Sequence, residues 1–399
     1  MSNQQDQLPK GWEIKKLGEV SDILNGGTPK TNIAQYWDGE IHWITPADLG
    51  KLTKPTTADT PRKISRFGLE KSSAKLFPEN SVILSTRAPI GHLAINEVPM
   101  CTNQGCRGIV PSKKLDTWFL YYFLKMNVEY LDSLGTGTTF KELSTKALAG
   151  VEIPLPSLPE QQRIVSILDE AFAAIAKAKA NAEQNLKNAK ELFESYLQGV
   201  FENGDWEKKE LRELTTILGD GLHGTPEYTS NGEYYFINGN NLHDGTIVFK
   251  DTTKRVNIDE FNKHKKNLND RTILVSINGT LANVAFYNNE KIILGKSACY
   301  FNLKESVDKR FVKYVLSSPY FIKYAHKEAT GATIKNVSLK SMREFKVPFP
   351  TIKQQQTIVQ KFDALRTETQ KLEAVYKKKI EDLEELKKSL LQKAFSGEL

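Results

Sequence analysis

Few residues in this chain have the type and spacing that chemistry needs. "GDGLHG", from Gly219, satisfies G-x-G-x-x-G, the turn by which a strand presents a helix N-terminus to a pyrophosphate. Pro226 and a polar run follow where the helix is required, and the matching place earlier in the chain reads "NGGTP". A dinucleotide site is therefore not supported. The patterns G-x-x-x-x-G-K-[ST], H-E-x-x-H and G-x-S-x-G are absent, and so are "NPPY" and "DPPY", by which amino-methyltransferases hold a target base. The histidines, His42, His92, His223, His243, His264 and His326, do not pair at ligand spacing. Cys101, Cys106 and Cys299 match neither a disulfide framework nor a zinc pattern and read as buried thiols, so no metal site is expected. Two Gly/Thr-rich loops remain, "GTGTTFKEL" from Gly135 and "TGATIKNV" from Thr330. Each offers backbone amides, hydroxyls and one lysine, donors suited to phosphate oxygens. A plain surface turn has the same composition.

The elements that would carry such loops follow from length and pattern. A chain of 399 residues is long enough for two or three domains with cores of their own. With 39% hydrophobic and 26% charged residues, its composition is that of an ordinary soluble protein. No run approaches the roughly 18 apolar residues of a membrane span. The opening "MSNQQDQLPKGWEIKK" lacks the apolar core of a signal peptide, so the expected location is the cytoplasm. The net charge of +7 is weak support for a nucleic-acid partner by itself. Its distribution adds a little, because residues 206–350 hold 22 Lys/Arg against 16 Asp/Glu, while residues 1–155 hold 18 against 16.

The chain repeats itself. "LPSLPEQQRIVSILDEAF" from Leu155 returns as "FPTIKQQQTIVQKFDALR" from Phe349, with Pro156, Gln161, Gln162, Ile164, Val165 and Asp169 each identical 194 residues on. "WEIKKLGEVSDILNGG" from Trp12 aligns on "WEKKELRELTTILGDG" from Trp206 with eight of sixteen residues identical. "VILSTR" from Val82 resembles "TILVSIN" from Thr272, and "SYLQGVF" from Ser195 resembles "SLLQKAF" from Ser389. A period this long is far from the roughly 20–50 residues of a solenoid unit. It is the tandem duplication of a whole module.

The expected fold class is therefore mixed α+β, a globular domain followed by a long helix, twice. The boundaries fall at 1–155, 156–205, 206–350 and 351–399. No proline or glycine interrupts 160–198 or 354–396. Apolar or small residues recur at steps of three and four from Ile164 through Ala189 to Leu192, Tyr196 and Val200, and from Ile358 through Leu372 and Leu386 to Leu390. The first seam is rich in alanine where the second carries Leu, Ile and Tyr, which lets two helices approach closely. The expectation is an intramolecular antiparallel coiled coil. Within the globular segments "SVILSTR", "GCRGIVP", "RTILVSI" and "SACYFNL" read as strands. "DTWFLYYFLKMNVEYLDSL" and "DKRFVKYVLSSPYFIKYAHKEA" read as amphipathic helices.

"LPSLPEQQRIVSILDE", its echo "PTIKQQQTIVQKFDAL", the opening "LPKGWEIKKLGEV" and the terminal "LLQKAFSGEL" together resemble the specificity subunit of Type I restriction–modification systems, over the whole chain. The resemblance implies two target recognition domains, each reading one half of a bipartite sequence in double-stranded DNA, and central and C-terminal helical regions. It implies two modification subunits docked on the helices, carrying S-adenosylmethionine and methylating adenine. Restriction subunits using ATP and Mg join that core, and this chain itself is non-catalytic and holds no cofactor. It places partner contacts at the helix starts, Gln161, Gln162, Arg163 and Ile164, and Gln355, Gln356 and Ile358. The second start departs from the first, with Lys353 and Gln354 where the first has Pro159 and Glu160, which puts the equality of the two docking sites in question. DNA contacts are expected from Thr28, Lys30, Arg87, Thr138, Thr139 and Lys141 in the first half, and from Thr225, Asn278, Lys296, Thr333 and Lys335 in the second. Arg87 and Asn278 occupy matched positions and suit different bases, although a structural role fits them as well. Two other readings stay open, a self-contained nuclease or methyltransferase and a two-domain scaffold for proteins or sugars.

Overall fold

The computed structural model describes residues 8–87, 89–137 and 141–399. The uninterrupted stretches form two long helices, Leu158–Asn203 and Ile352–Ser396, of 46 and 45 residues. Each is about 70 Å long at a rise of ~1.5 Å per residue. The chain divides into two compact units, Met1–Asn181 with Lys379–Leu399, and Ala182–Lys378. Both long helices are shared between the units.

In the first unit a five-stranded sheet runs in the order Ser21–Asn25, Cys106–Pro111, Val82–Thr86, Ile90–Asn96, Thr56–Thr57. A three-stranded sheet runs Arg62–Ile64, Trp37–Ile44, Met100–Thr102. Val82–Thr86 is buried along its whole length, which is why it reads as an apolar run rather than an alternation. A two-stranded ladder pairs Glu13–Lys16 with Glu152–Leu155, so the start of the domain is stitched to the strand that feeds the long helix.

The second unit repeats this plan. One sheet runs Thr215–Asp220, Ala298–Leu303, Thr272–Ser276, Val284–Phe286, and the other Arg255–Val256, Tyr234–Ile237, Ile292–Leu294. Lys208–Glu210 pairs with Lys346–Pro348 in the equivalent ladder.

Two expectations need correction. Each stretch read as one amphipathic helix is two. Asn127 ends Thr117–Met126 by donating its side-chain amide to the Phe123 carbonyl at 2.8 Å, and Val128–Ser133 starts afresh. Pro319 opens Pro319–Glu328 directly after Lys309–Ser317, at the position where a missing N–H is harmless. The seam of the first long helix also moves. Ile164, Leu168, Ile175, Ala182 and Ala189 are buried as expected, but the buried stripe then passes to Leu197 and Phe201, leaving Leu192 51% and Tyr196 40% exposed. A helix of 3.6 residues per turn drifts against a seven-residue repeat, and these last turns face an aromatic core rather than a helix. In the second helix Leu372 and Leu386 are likewise exposed, and Leu391 is buried in place of Leu390.

Within each unit the helix segments run antiparallel. In the first, Arg163 donates to the Leu399 carbonyl at 2.6 Å and Lys179 pairs with Glu384 at 2.6 Å. In the second, the Phe193 ring lies 5.6 Å from the Arg366 guanidinium and the Phe201 ring 5.5 Å from that of Phe362.

The repeated ends "SYLQGVF" and "SLLQKAF" are buried in equivalent cores. Phe395 packs on Phe119 at 4.9 Å and Phe123 at 5.5 Å, and Phe201 packs on Phe311 at 5.6 Å. Phe395→Ala or Phe201→Ala should therefore cost about 3–5 kcal/mol, read as a lowered midpoint in chemical unfolding. Leu386→Ala, at a side chain 47% exposed, should leave that midpoint nearly unchanged. Equal effects from core and exposed variants would contradict this packing.

Candidate nucleic-acid interface

The repeated helix starts are built from a buried polar set. Gln161 has no exposed surface. Its Oε1 accepts from the Asp116 N–H at 2.8 Å, and its Nε2 donates to the carbonyls of Lys114 and Pro156, both at 2.9 Å. Gln355 repeats the arrangement, accepting from the Asp308 N–H at 2.8 Å and donating to the Pro350 carbonyl at 2.8 Å. Asp116 and Asp308 in turn cap the helices that begin at Thr117 and Lys309. Two turns further along, Asp169 accepts the Tyr122 hydroxyl, and Asp363 accepts the Tyr314 hydroxyl at 2.6 Å and also takes Arg310. Burial, then the neighbouring carboxylate, pushes both tyrosine pKa values up, so the hydroxyls remain donors. Of the residues expected at a partner surface, Gln161 and Ile164 are turned inward, Gln355 likewise, and Ile358 is half-buried. Gln162, Arg163 and Gln356 are exposed. Arg163 is held by Glu160 at 2.7 Å as well as by the Leu399 carbonyl.

The DNA candidates separate in a similar way. In the first unit Thr28 and Arg87 meet in an open cleft together with Trp43, Thr45, Arg62 and Asn103. The Arg62 guanidinium lies 4.5 Å over the Trp43 ring, whose indole N–H donates to the Gly27 carbonyl at 2.9 Å. Thr28 donates to Gln104 Oε1 at 2.5 Å. Arg87, about a third exposed, sits 3.7 Å from Glu142. Lys30 and Lys141 are exposed but do not line this cleft, and Lys141 pairs with Asp132 at 2.6 Å. Thr138 and Thr139 lie outside the described residues.

In the second unit Asn278 and Lys296 share a cleft with Asp220, His223 and Asn336. Asn278 Nδ2 donates to Asn336 Oδ1 at 3.0 Å, and His223 Nε2 lies 2.6 Å from Asp220 Oδ2. Thr225, Thr333 and Lys335 are exposed on loops outside this lining. The Gly/Thr-rich loops close in the same way in both units. Thr136 and Glu142 exchange backbone hydrogen bonds at 3.0 and 2.9 Å, and Thr330 and Asn336 do so at 2.9 Å. Leu143 then donates to the Thr86 carbonyl, and Val337 to that of Ile277, which straps each loop to the end of a central strand.

"GDGLHG" leaves the strand Thr215–Asp220 into a loop with no helix behind it. All three cysteines are buried, and burial pushes the Cys101 thiol up to about 12 and raises those of Cys106 and Cys299. Among the described residues no cluster of three or more His, Cys, Asp or Glu could hold a metal ion, and no helix is long and apolar enough to cross a membrane.

The model of the Type I restriction modification DNA specificity domain matches residues 9–187 and again 203–382. The chain belongs to this family. The MjaIX specificity subunit of Methanocaldococcus jannaschii is 38% identical over 192 residues, covering 48% of this chain and 44% of that protein. The EcoR124I/EcoR124II specificity subunit of Escherichia coli is 32% identical, and the alignment spans 40% of it, so under half of each of these two relatives is matched. The EcoKI specificity subunit of Escherichia coli is 23% identical over 98% of this chain and 90% of its own length. Among solved structures, the HsdS subunit from Thermoanaerobacter tengcongensis has the same fold, with a TM-score of 0.65 at 18% identity, covering 98% of both chains. A chain solved in work on complex assembly and conformational transition of the type I R-M system gives a TM-score of 0.75 at 18% identity, over 98% of this chain and 99% of that one.

The residues that sequence reasoning missed in the two specificity domains are Trp43, Arg62, Asn103, Glu142, Asp220, His223 and Asn336. Glu142 and Asn336 were within reach of the repeat, since they stand 194 residues apart in the matched loops. Arg62 was not, because only its register opposite Trp43 across two strands brings it to the cleft.

Gln161→Leu should leave a buried N–H and two carbonyls unpaired, at about 1–3 kcal/mol each. Gln355→Leu should cost less, with one N–H and one carbonyl orphaned, and Gln162→Ala should be close to neutral. Chemical unfolding of the three variants checks that order. Equal stability of Gln161→Leu and Gln162→Ala would refute the structural role of the glutamine.

Proposed function

We propose that this chain is the DNA sequence-recognition subunit of a Type I restriction–modification complex. Its two recognition domains, 1–155 and 206–350, read the two halves of a bipartite, asymmetric site in double-stranded DNA. The helical segments 156–205 and 351–399 hold the domains in register and dock two modification subunits. Those partners supply S-adenosylmethionine and adenine methylation. Restriction subunits with ATP and Mg add translocation and cleavage, and the complex works in the cytoplasm. The chain contributes recognition and scaffolding rather than a reaction centre.

One observation carries this reading. Two matched DNA specificity domains in one chain each present a cleft at the matched position of Arg87 and Asn278, with different polar linings, Thr28, Arg62, Arg87 and Asn103 in one, and His223, Asn278, Lys296 and Asn336 in the other. A symmetric dimer must read a palindrome, because one surface is used twice. A duplicated chain is free to read two different half-sites. The partner-docking part rests on exposed positions of the helices, Gln162, Arg163 and Gln356 at their starts and the apolar Leu372 and Val375, which are 42% and 59% exposed.

Adenine methylation mapped across the genome of cells carrying this chain and modification subunits, against cells lacking the chain, should reveal a two-part asymmetric motif that depends on it. Binding of a duplex bearing that motif should fall about 10³-fold or more between 50 and 200 mM salt if six or more phosphates are contacted. An assembled complex that adds no motif, or binding indifferent to salt, would sink the proposal.

A further inference from the structure

The two clefts differ by a linked set of replacements. In the first, Glu142 lies between two guanidinium groups, 3.4 Å from Arg107 and 3.7 Å from Arg87. Arg107 is buried, and its donors are taken up by the carbonyls of Gln104 and Cys106 and the Thr145 hydroxyl. It neutralises Glu142 without reaching the cleft. Arg87 does line the cleft, and among the described residues its guanidinium makes no hydrogen bond beyond that long ion pair. In the second unit the three equivalent positions are all uncharged. Asn278 stands for Arg87 and Asn336 for Glu142 in the matched loop bridges. Cys299, opposite Val275, stands for Arg107, opposite Leu84.

The replacements go together for a physical reason. Losing the arginines while keeping the glutamate would strand a half-buried carboxylate, and losing the glutamate alone would leave two adjacent guanidinium groups without a counter-charge. What the exchange alters at the cleft is the reading group. A guanidinium fork matches the O6 and N7 acceptors of guanine. The Asn278–Asn336 bond leaves Asn278 Oδ1 as an acceptor and Asn336 Nδ2 as a donor, the combination that the N6 amine and N7 of adenine require.

We infer that these positions set the base preference of the two half-sites, with Arg87 demanding a guanine in the first and the Asn278–Asn336 pair demanding an adenine in the second, while Glu142 acts as the positioning residue for Arg87. This rests on the DNA-recognition reading above and adds to it which base class each cleft takes.

The test uses the full chain assembled with modification subunits, S-adenosylmethionine, and duplex libraries randomised in one half-site at a time, with methylated molecules identified by sequencing. The wild type should favour guanine at one first-half position by about 5- to 150-fold. Arg87→Ala should abolish that preference and leave the second half-site unchanged. Arg87→Gln, which keeps much of the stem but carries an amide suited to adenine rather than guanine, should also abolish it, and covers the case in which the alanine variant does not assemble. Glu142→Gln should weaken the same preference and no other, an effect that mere loss of stability would not confine to one base position. The triple variant R87N/R107C/E142N, which makes the whole linked exchange, should move the preference from guanine to adenine, and Asn278→Ala should relax a single second-half adenine. Retention of the guanine preference by Arg87→Gln, or equal relaxation of both half-sites by Arg87→Ala, overturns the inference while leaving DNA recognition intact. A wild-type complex with no two-part preference at all overturns the recognition reading, and the inference with it.

Discussion

A glutamine side chain without access to water sets the direction in which each long helix leaves its domain. Gln161 and Gln355 satisfy a backbone N–H in the loop before the domain's own helix and a proline carbonyl at the start of the long one. A buried amide is costly unless its partners are in place, and only one approach of the helix provides them. The Tyr122–Asp169 and Tyr314–Asp363 bonds, eight residues further along each long helix, add a second point of attachment. Two points fix a line. The sheets and the long-helix segments are thereby one body within each unit, and a cleft on the sheets keeps a defined bearing on the helix that leaves the domain.

That attachment accounts for what the halves share, and the clefts account for where they part. The capping aspartates, the buried glutamines, the tyrosine–aspartate pairs and the terminal phenylalanines recur because each is tied to a partner that recurs with it. Changing one of them alone leaves a polar group or a cavity in the core. Cleft residues are less tied to recurring partners inside the fold and can drift, but where charge is half-buried they drift as sets. The exchange of Arg87, Arg107 and Glu142 for Asn278, Cys299 and Asn336 is such a set, since losing Glu142 alone leaves two adjacent guanidinium groups without a counter-charge and losing both arginines leaves Glu142 without one.

Much of this architecture was legible without coordinates. The long helices showed themselves by the absence of proline and glycine and by three–four spacing, and the duplicated module by identities at a constant offset. Three features escaped. Asn127 ends a helix through a bond from its own side chain, where the apolar pattern runs on unbroken. Past Ala189 the buried stripe moves by one residue, because the last turns of the first helix enter an aromatic core. The resemblance implies partner contacts for Gln161 and Gln355 at the helix starts, and nothing in the local pattern shows that the fold turns both inward.

Sequence alone determined the repeat, the helix lengths, the strand-rich character of the globular domains and the absence of the common catalytic motifs. These depend on neighbours three or four residues away or on one fixed offset. Tertiary structure alone decided which polar side chains turn inward and which reach a cleft. Gln161 is spent on an N–H 45 residues away, Arg62 reaches its cleft through a strand register 19 residues back at Trp43, and Glu142 meets Arg87 across 55 residues. Such separations differ from contact to contact and follow no period. Only the closing of the chain on itself brings these groups together.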